Sequence, residues 1–196
     1  FVPLYLPPII LVATCLLAIS SILCTQKLVV TNLPGSSLME DHNLKADFIA
    51  AMRRVASTVY VISAKSTLEK HAMTAISVTS LSMSPPSVLV CVNKKASIHN
   101  LLSKDSLFCI NILSREQEGL SKVCSESEEG EFRFHDPAWI EDKDYVFNNN
   151  SLSNIFCNCV DTIDHTSHTI FIAEVKATQN NESFEPLIYQ SGNYLK

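Results

Sequence analysis

Lys95, Ala96 and Ser97 stand directly in front of a short apolar-periodic run, "IHNLLSK". A helix starting there would turn free main-chain N–H groups and partial positive charge toward its entrance. Lys95 would add a full charge, giving an anion site that needs no glycine-rich loop. Read alone, Ser97 is also a plain N-cap. Just upstream, "MTAISVTSLSMS" crowds together the hydroxyls of Thr74, Ser77, Thr79, Ser80, Ser82 and Ser84. Pro85-Pro86 ends this stretch, and the apolar run Val88 to Val92 follows. From the residues alone the stretch reads as an edge strand with a solvated polar face. A third group of interest is "DHTSHTIF", where His165 and His168 flank the entry to a strand. A histidine there either bonds locally or reaches a site.

Other chemistry is excluded or unsupported. Four glycines occur in 196 residues, and neither G-x-G-x-x-G nor a P-loop pattern is among them. A nucleotide would have to be held by other means. Net charge is −5 with no Lys- or Arg-rich patch, so nucleic acid is not an expected partner. The acidic run "SESEEGE" reads as a solvated loop. Seven cysteines are scattered through apolar segments. Cys157 and Cys159 share one strand face, but no second pair stands at zinc-ligand spacing. They read as reduced, packed thiols of a cytoplasmic protein, and no metal site is expected. The sequons at Asn149 and Asn181 would matter only after secretion, which free thiols argue against.

The elements that must position these residues are mostly strands. Six runs rich in Val, Ile, Phe and Thr stand out: 58–64, 87–93, 107–113, 154–163, 169–178 and 186–190. Helices are few. "LKADFIAAMRRVA" (44–56) sets Phe48, Met52 and Val55 on one face. Ser97 would cap one short helix, and Ser114 with Gln117 would form a capping box on another. The helices do not alternate with the strands. That favours a mainly β fold with short helices, a β-barrel with additions, over a doubly wound sheet.

Residues 1–38 are a separate case. "FVPLYLPPIILVATCLLAISSILCTQK" has no charge before Lys27 and is long enough to span a bilayer. It lacks a basic n-region and holds Pro3, Pro7 and Pro8. It is either a membrane anchor through about residues 1–26 or an upstream segment foreign to the mature protein. The abrupt change at "MEDHNLKADF" favours a start near Met39, leaving 39–196 as the folded domain. An intact mass that includes Phe1 to Leu38 would refute that start.

In order, "AMRRVASTVYVIS", "HAMTAISVTSLSMSPPSVLVCVNKKASIHNLL", "FCINIL", "CNCV", "DHTSHTIFIAEV" and "PLIYQSGNY" resemble the flavin reductase-like family. Its members are the split-barrel, FMN- or FAD-binding reductase components of two-component monooxygenases. The likeness runs from Phe48 to Tyr194. It implies an FMN-binding split β-barrel and an NAD(P)H:flavin oxidoreductase. The implied ring-binding residues are Thr74, Ala75, Ile76, Ser77 and Val78, with Ser80 and Leu81 along the ribityl chain. Short side chains there would let main-chain amides reach the ring edge. The flavin phosphate would lie at Lys95, Ala96 and Ser97. His168 would be the catalytic-site histidine, near flavin and nicotinamide, with His165 as the other candidate. Tyr189, Ser191 and Gly192 would meet the nicotinamide nucleotide. Three positions depart from the family pattern. Ser167 replaces a usual aspartate, Ser191 a usual arginine and Thr58 a usual glycine. The Ser191 departure keeps open a non-enzymatic flavin-binding or electron-transfer protein. A homodimer and a partner monooxygenase are also implied.

Overall fold

The computed structural model describes residues 43–126 and 130–195. The extension expected over 1–38 and the start expected near Met39 lie outside the described residues. From Leu44 onward the chain forms one compact unit.

Seven strands make the main sheet. They are β2 (Tyr60–Lys65), β3 (Lys70–Ala75), β4 (Val78–Met83), β5 (Pro86–Asn93), β6 (Leu107–Ile112), β9 (Ser153–His165) and β10 (His168–Asn180). Their order is β3-β2-β6-β9-β10-β5-β4, with every pairing antiparallel. β3 and β4 therefore stand at opposite ends of the sheet, yet only Ile76 and Ser77 separate them in sequence. Three residue steps span at most about 11 Å. The sheet must curl until its two edges come together, and the gap between β3 and β4 is the split of the barrel.

Strand alternation buries both faces of β2. Ile62 and Ala64 point into the barrel with Val90, Phe108, Ile110, Cys157 and Phe171. Val61 points outward into a second cluster with Val59, Ala72, Leu113, Cys124 and Leu187. That outer cluster lies beneath α2 (Glu118–Ser125) and the small sheet of β1 (Ser57–Thr58), β11 (Ile188–Gln190) and β12 (Asn193–Leu195). The pair β7 (Trp139–Glu141) and β8 (Val146–Asn148) completes the strands. Cys91, Cys109, Cys124, Cys157 and Cys159 are all free, and all but Cys91 are buried, as packed thiols should be.

All six expected runs contain strand, though 186–190 shortens to Ile188–Gln190. The hydroxyl stretch divides. Met73, Thr74 and Ala75 end β3, while Val78–Met83 is an edge strand with most residues exposed. Two helix expectations need correction. Helix α1 (Leu44–Met52) forms, but none of its residues is buried and Val55 lies beyond its end. The face of Phe48, Met52 and Val55 has no covering surface among the described residues. Ser97 is not the cap of its helix. Ala96 holds that position, and Ser97 is the first residue of a five-residue 3-10 helix, Ser97–Leu101. The Ser97 hydroxyl is engaged elsewhere, by Arg133. So short a helix contributes little dipole. The box at Ser114 is present: Gln117 Oε1 accepts the Ser114 N–H at 3.0 Å and leads into α2.

One buried polar knot fixes β2, β6 and β8 together. The Asn111 amide donates to Val61 O at 2.8 Å and to Ser63 Oγ at 2.9 Å. Its Oδ1 accepts the Asn148 N–H at 2.8 Å. Asn111→Leu keeps the volume but leaves buried groups without partners. We expect a loss of about 1–3 kcal/mol in chemical denaturation. An unchanged midpoint would contradict this.

Candidate functional site

A cavity of about 490 Å³ opens at the unpaired edge of β3. Its first wall is Met73, Thr74 and Ala75 with Ile76 beyond the strand end, above Val59. Among the described residues β3 pairs only with the strand β2, so its other edge is open to side chains and ligands. Ala72 turns its carbonyl outward, where Arg133 Nη1 donates to it at 2.7 Å. Antiparallel alternation then makes Thr74 present its own main-chain N–H and C=O on that same edge. The Thr74 hydroxyl donates to Ser121 O at 2.6 Å, which ties α2 to the strand.

The second wall is Lys95, Ala96 and Ser97. Asn93 builds this turn: its Oδ1 accepts the Lys95 N–H and its main-chain O the Ala96 N–H, both at 2.9 Å. Lys94 pairs with Asp164 at 3.3 Å. Lys95 has no carboxylate within ion-pair distance among the described residues. The Thr169 hydroxyl and then Lys94 hold the Asp164 carboxyl below its ordinary range.

Two further walls complete the cavity. One is the end of α2, Cys124, Ser125 and Glu126, with Arg133 beside it. The other is Tyr189 and Tyr194, whose rings meet edge to face at 5.4 Å. Tyr194 Oη shares a hydrogen bond with Ser121 Oγ at 2.8 Å. Only Tyr189 of these residues was expected. The one hint of Arg133 was a lone cation inside an acidic, aromatic stretch, "SEEGEFRF".

The other expected residues lie at the rim or away from the cavity. Ser77 donates its hydroxyl to Cys91 O at 3.1 Å. Val78, Ser80 and Leu81 continue along β4, across the split from Ile76. His168 opens β10, exposed, opposite Asn93 and His165, with its Nδ1 and Ser167 Oγ 2.9 Å apart. Ser167 O accepts the Lys94 N–H at 2.9 Å, so this hairpin tip is fastened to the Lys94–Lys95 turn. Ser191 and Gly192 form the turn between β11 and β12, with φ of 53° and 88°. Glycine suits such a φ, and Ser191 bears it while its N–H bonds Arg53 O at 3.0 Å. Arg53 and Arg54 line a shallow depression at Ser191, so cations stand beside that position though not at it.

Burial pushes the Cys124 thiol up to about 12, with the Arg133 charge pulling the other way. A raised thiol pKa adds stability that is full below the unfolded value of about 8.5 and fades as pH climbs toward the folded one. We therefore expect stability to fall between about pH 9 and 12, and Cys124→Ala to flatten that slope. Urea midpoints across the range check it, and an identical slope would contradict it. Burial raises Cys157 to the same level and pushes Cys109 and Cys159 up as well, and these three supply the residual slope.

The cavity thus offers an apolar floor, a strand edge of main-chain donors and acceptors, two aromatic rings and a cationic end. That suits a planar heteroaromatic ligand with an anionic tail. Among the described residues no cluster of His, Cys, Asp or Glu has metal-ligating geometry. Residues 52–196 match the family model described as "Flavin reductase like domain". The chain is 35% identical to the reductase component of the FADH(2)-dependent resorcinol hydroxylase of Rhizobium sp., over 82% of this chain and 91% of that protein. It is 28% identical to the FMN reductase (NADH) RutF of Yersinia enterocolitica, over 84% of this chain and 92% of that protein. In three dimensions it is similar to the NADH:FAD oxidoreductase SgcE6 of Streptomyces globisporus C-1027, solved in complex with NAD and FAD fragments. The TM-score is 0.72 at 23% identity, covering 80% of this chain and 94% of that one, and this likeness bears on the fold alone.

Proposed function

The chain belongs to the flavin reductase-like family, and on that premise we propose that it is an NAD(P)H-dependent flavin reductase that supplies reduced flavin to a partner monooxygenase. The observation that carries this reading is a convergence. Thr74, Ala75 and Ile76 line the same cavity as Lys95, Ala96 and Ser97, although the first group ends the edge strand β3 and the second follows β5, five places away in the sheet order. In this reading the outward main-chain groups of Thr74 serve the edge of a flavin ring, and Lys95 with the Ser97 hydroxyl serves its phosphate. Ser77, Val78, Ser80 and Leu81 extend the same surface past the rim. Bound flavin supplies the redox chemistry, accepting a hydride from the nicotinamide. The protein supplies orientation and polarity.

Tyr189, Ser191 and Gly192 are assigned to the nicotinamide nucleotide, with Tyr189 on the wall and the cations Arg53 and Arg54 beside Ser191. His168 is assigned to the reacting end. The fastening of its hairpin to the Lys94–Lys95 turn ties it to the phosphate side of the same site, and the reacting-end role rests on the family resemblance. A homodimer belongs to the same reading. Ile76, Leu81 and Met83 are about half or more exposed at the open split, beside the cavity, and a second copy would cover them. A cytoplasmic location is supported by the free thiols. No helix of the described residues is long and apolar enough to cross a membrane.

The test is a titration with FMN and with FAD, followed by NADH in air. The expected result is quenched flavin fluorescence and NADH consumption that requires both protein and flavin. Purification as a colourless protein that neither quenches flavin nor consumes NADH would overturn the proposal.

A further inference from the structure

Arg133 is 4% exposed, yet among the described residues no carboxylate stands within ion-pair distance of it. Among the described residues its guanidinium meets neutral oxygens only. Nη1 donates to Ala72 O at 2.7 Å and to Ser97 Oγ at 3.3 Å, and Nη2 donates to Glu126 O. Nε is buried with no partner among the described residues. A cation taken out of water is costly unless an anion or a full set of acceptors receives it. Here the set is incomplete, and the side chain lines the cavity that Lys95 and Ser97 also line. Resting on the flavin reading above, we infer that Arg133 is a second cationic ligand for the phosphate of the flavin, beside Lys95.

The contact to Ser97 gives the arrangement a direction. Ser97 Oγ accepts from Arg133, so its own O–H is free to donate into the cavity. Arg133 and Ser97 then act as a pair on one phosphate, the guanidinium by charge and the hydroxyl by an oriented hydrogen bond. The backbone bonds to Ala72 O and Glu126 O hold the fork in place before any ligand arrives. Such preorganisation spares the cost of ordering a long side chain on binding. Lys95, two residues before Ser97, is the exposed member of the pair of cations.

The test compares FMN with riboflavin, which carries the same ring and ribityl chain but no phosphate. Fluorescence quenching is measured for the wild type, Arg133→Met and Arg133→Lys. The wild type should bind FMN more tightly than riboflavin. Arg133→Met should lose about tenfold or more in FMN affinity, the worth of a charge-assisted bond, with riboflavin affinity unchanged. Arg133→Lys should fall between. A purely structural arginine would weaken both ligands equally, and that result, or an unchanged FMN preference in Arg133→Met, overturns the inference. A second readout needs no substitution: the Arg133 Nε–H resonance of the wild type, assigned by through-bond correlation. It should shift on adding FMN and stay in place on adding riboflavin; the same shift with both, or with neither, overturns the inference. A wild type that binds neither flavin instead overturns the flavin reading itself.

Discussion

Lys95→Glu is expected to weaken FMN binding about a hundredfold while leaving the fold intact, because the change costs about 3 kcal/mol of phosphate attraction. Lys95 is exposed and has no ion-pair partner among the described residues, so the folded chain does not depend on its charge. Its side chain lines the cavity beside Ala96 and Ser97. Reversal removes an attraction and adds a repulsion toward a phosphate dianion. At an effective dielectric near 20, each such interaction at about 4 Å is worth up to about 4 kcal/mol, and exposure brings the total down. The loss should shrink as salt is raised, since the site is open to solvent. Riboflavin affinity should change little. A quenching titration at low and high salt checks all three statements. FMN affinity equal to the wild type's would remove Lys95 from the site.

Phe171→Ala should cost about 3–5 kcal/mol of stability, the range for emptying an aromatic site in a packed core. Phe171 is 1% exposed in the centre of the barrel. Its ring meets His99 edge to face at 5.7 Å, and His99 Nε2 lies 2.9 Å from Thr169 Oγ1. Ile98, fully buried, packs in the same cluster. The 3-10 helix that begins with Ser97 is therefore seated on Phe171. Loss of the ring should loosen the Lys95–Ser97 turn as well as the core. The expected result is a lowered denaturation midpoint together with a several-fold weaker FMN affinity measured where the variant is still folded. A stability loss below about 1 kcal/mol would show that the barrel collapses onto the vacancy.

Where the sequence and the structure agree, the signal was local. The run Val88–Val92 is apolar on both faces, Leu107–Ile112 is so except at Asn111, and both form largely buried strands. Asn93 to Ser97 is a contiguous turn, so Lys95 and Ser97 were findable as an anion site. Thr74 to Ile76 were reached through the family resemblance, and the cavity brings them to the same place. What escaped was assembled from distance. Arg133 lies 36 residues from the Ser97 hydroxyl that it donates to. Tyr194 comes from the last strand and Cys124 from the end of α2. No period or spacing links such residues, because they meet only when the barrel closes. β3 escaped for another reason. Its burial does not alternate, since Ala72 faces the outer cluster and Ala75 the barrel interior. The helix dipole expected to serve the phosphate also failed. Ser97–Leu101 is one short 3-10 segment, and buried Arg133 stands where that partial charge was expected to act.

The most direct measurement is a single turnover without oxygen. Protein loaded with FMN is mixed anaerobically with one equivalent of NADH, and the yellow absorbance is followed against a free-FMN control. The expected result is bleaching with matching loss of NADH, far faster than in the control. Flavin that stays bound and yellow under NADH, yet bleaches with dithionite, would show a flavin carrier without reductase activity and contradict the account.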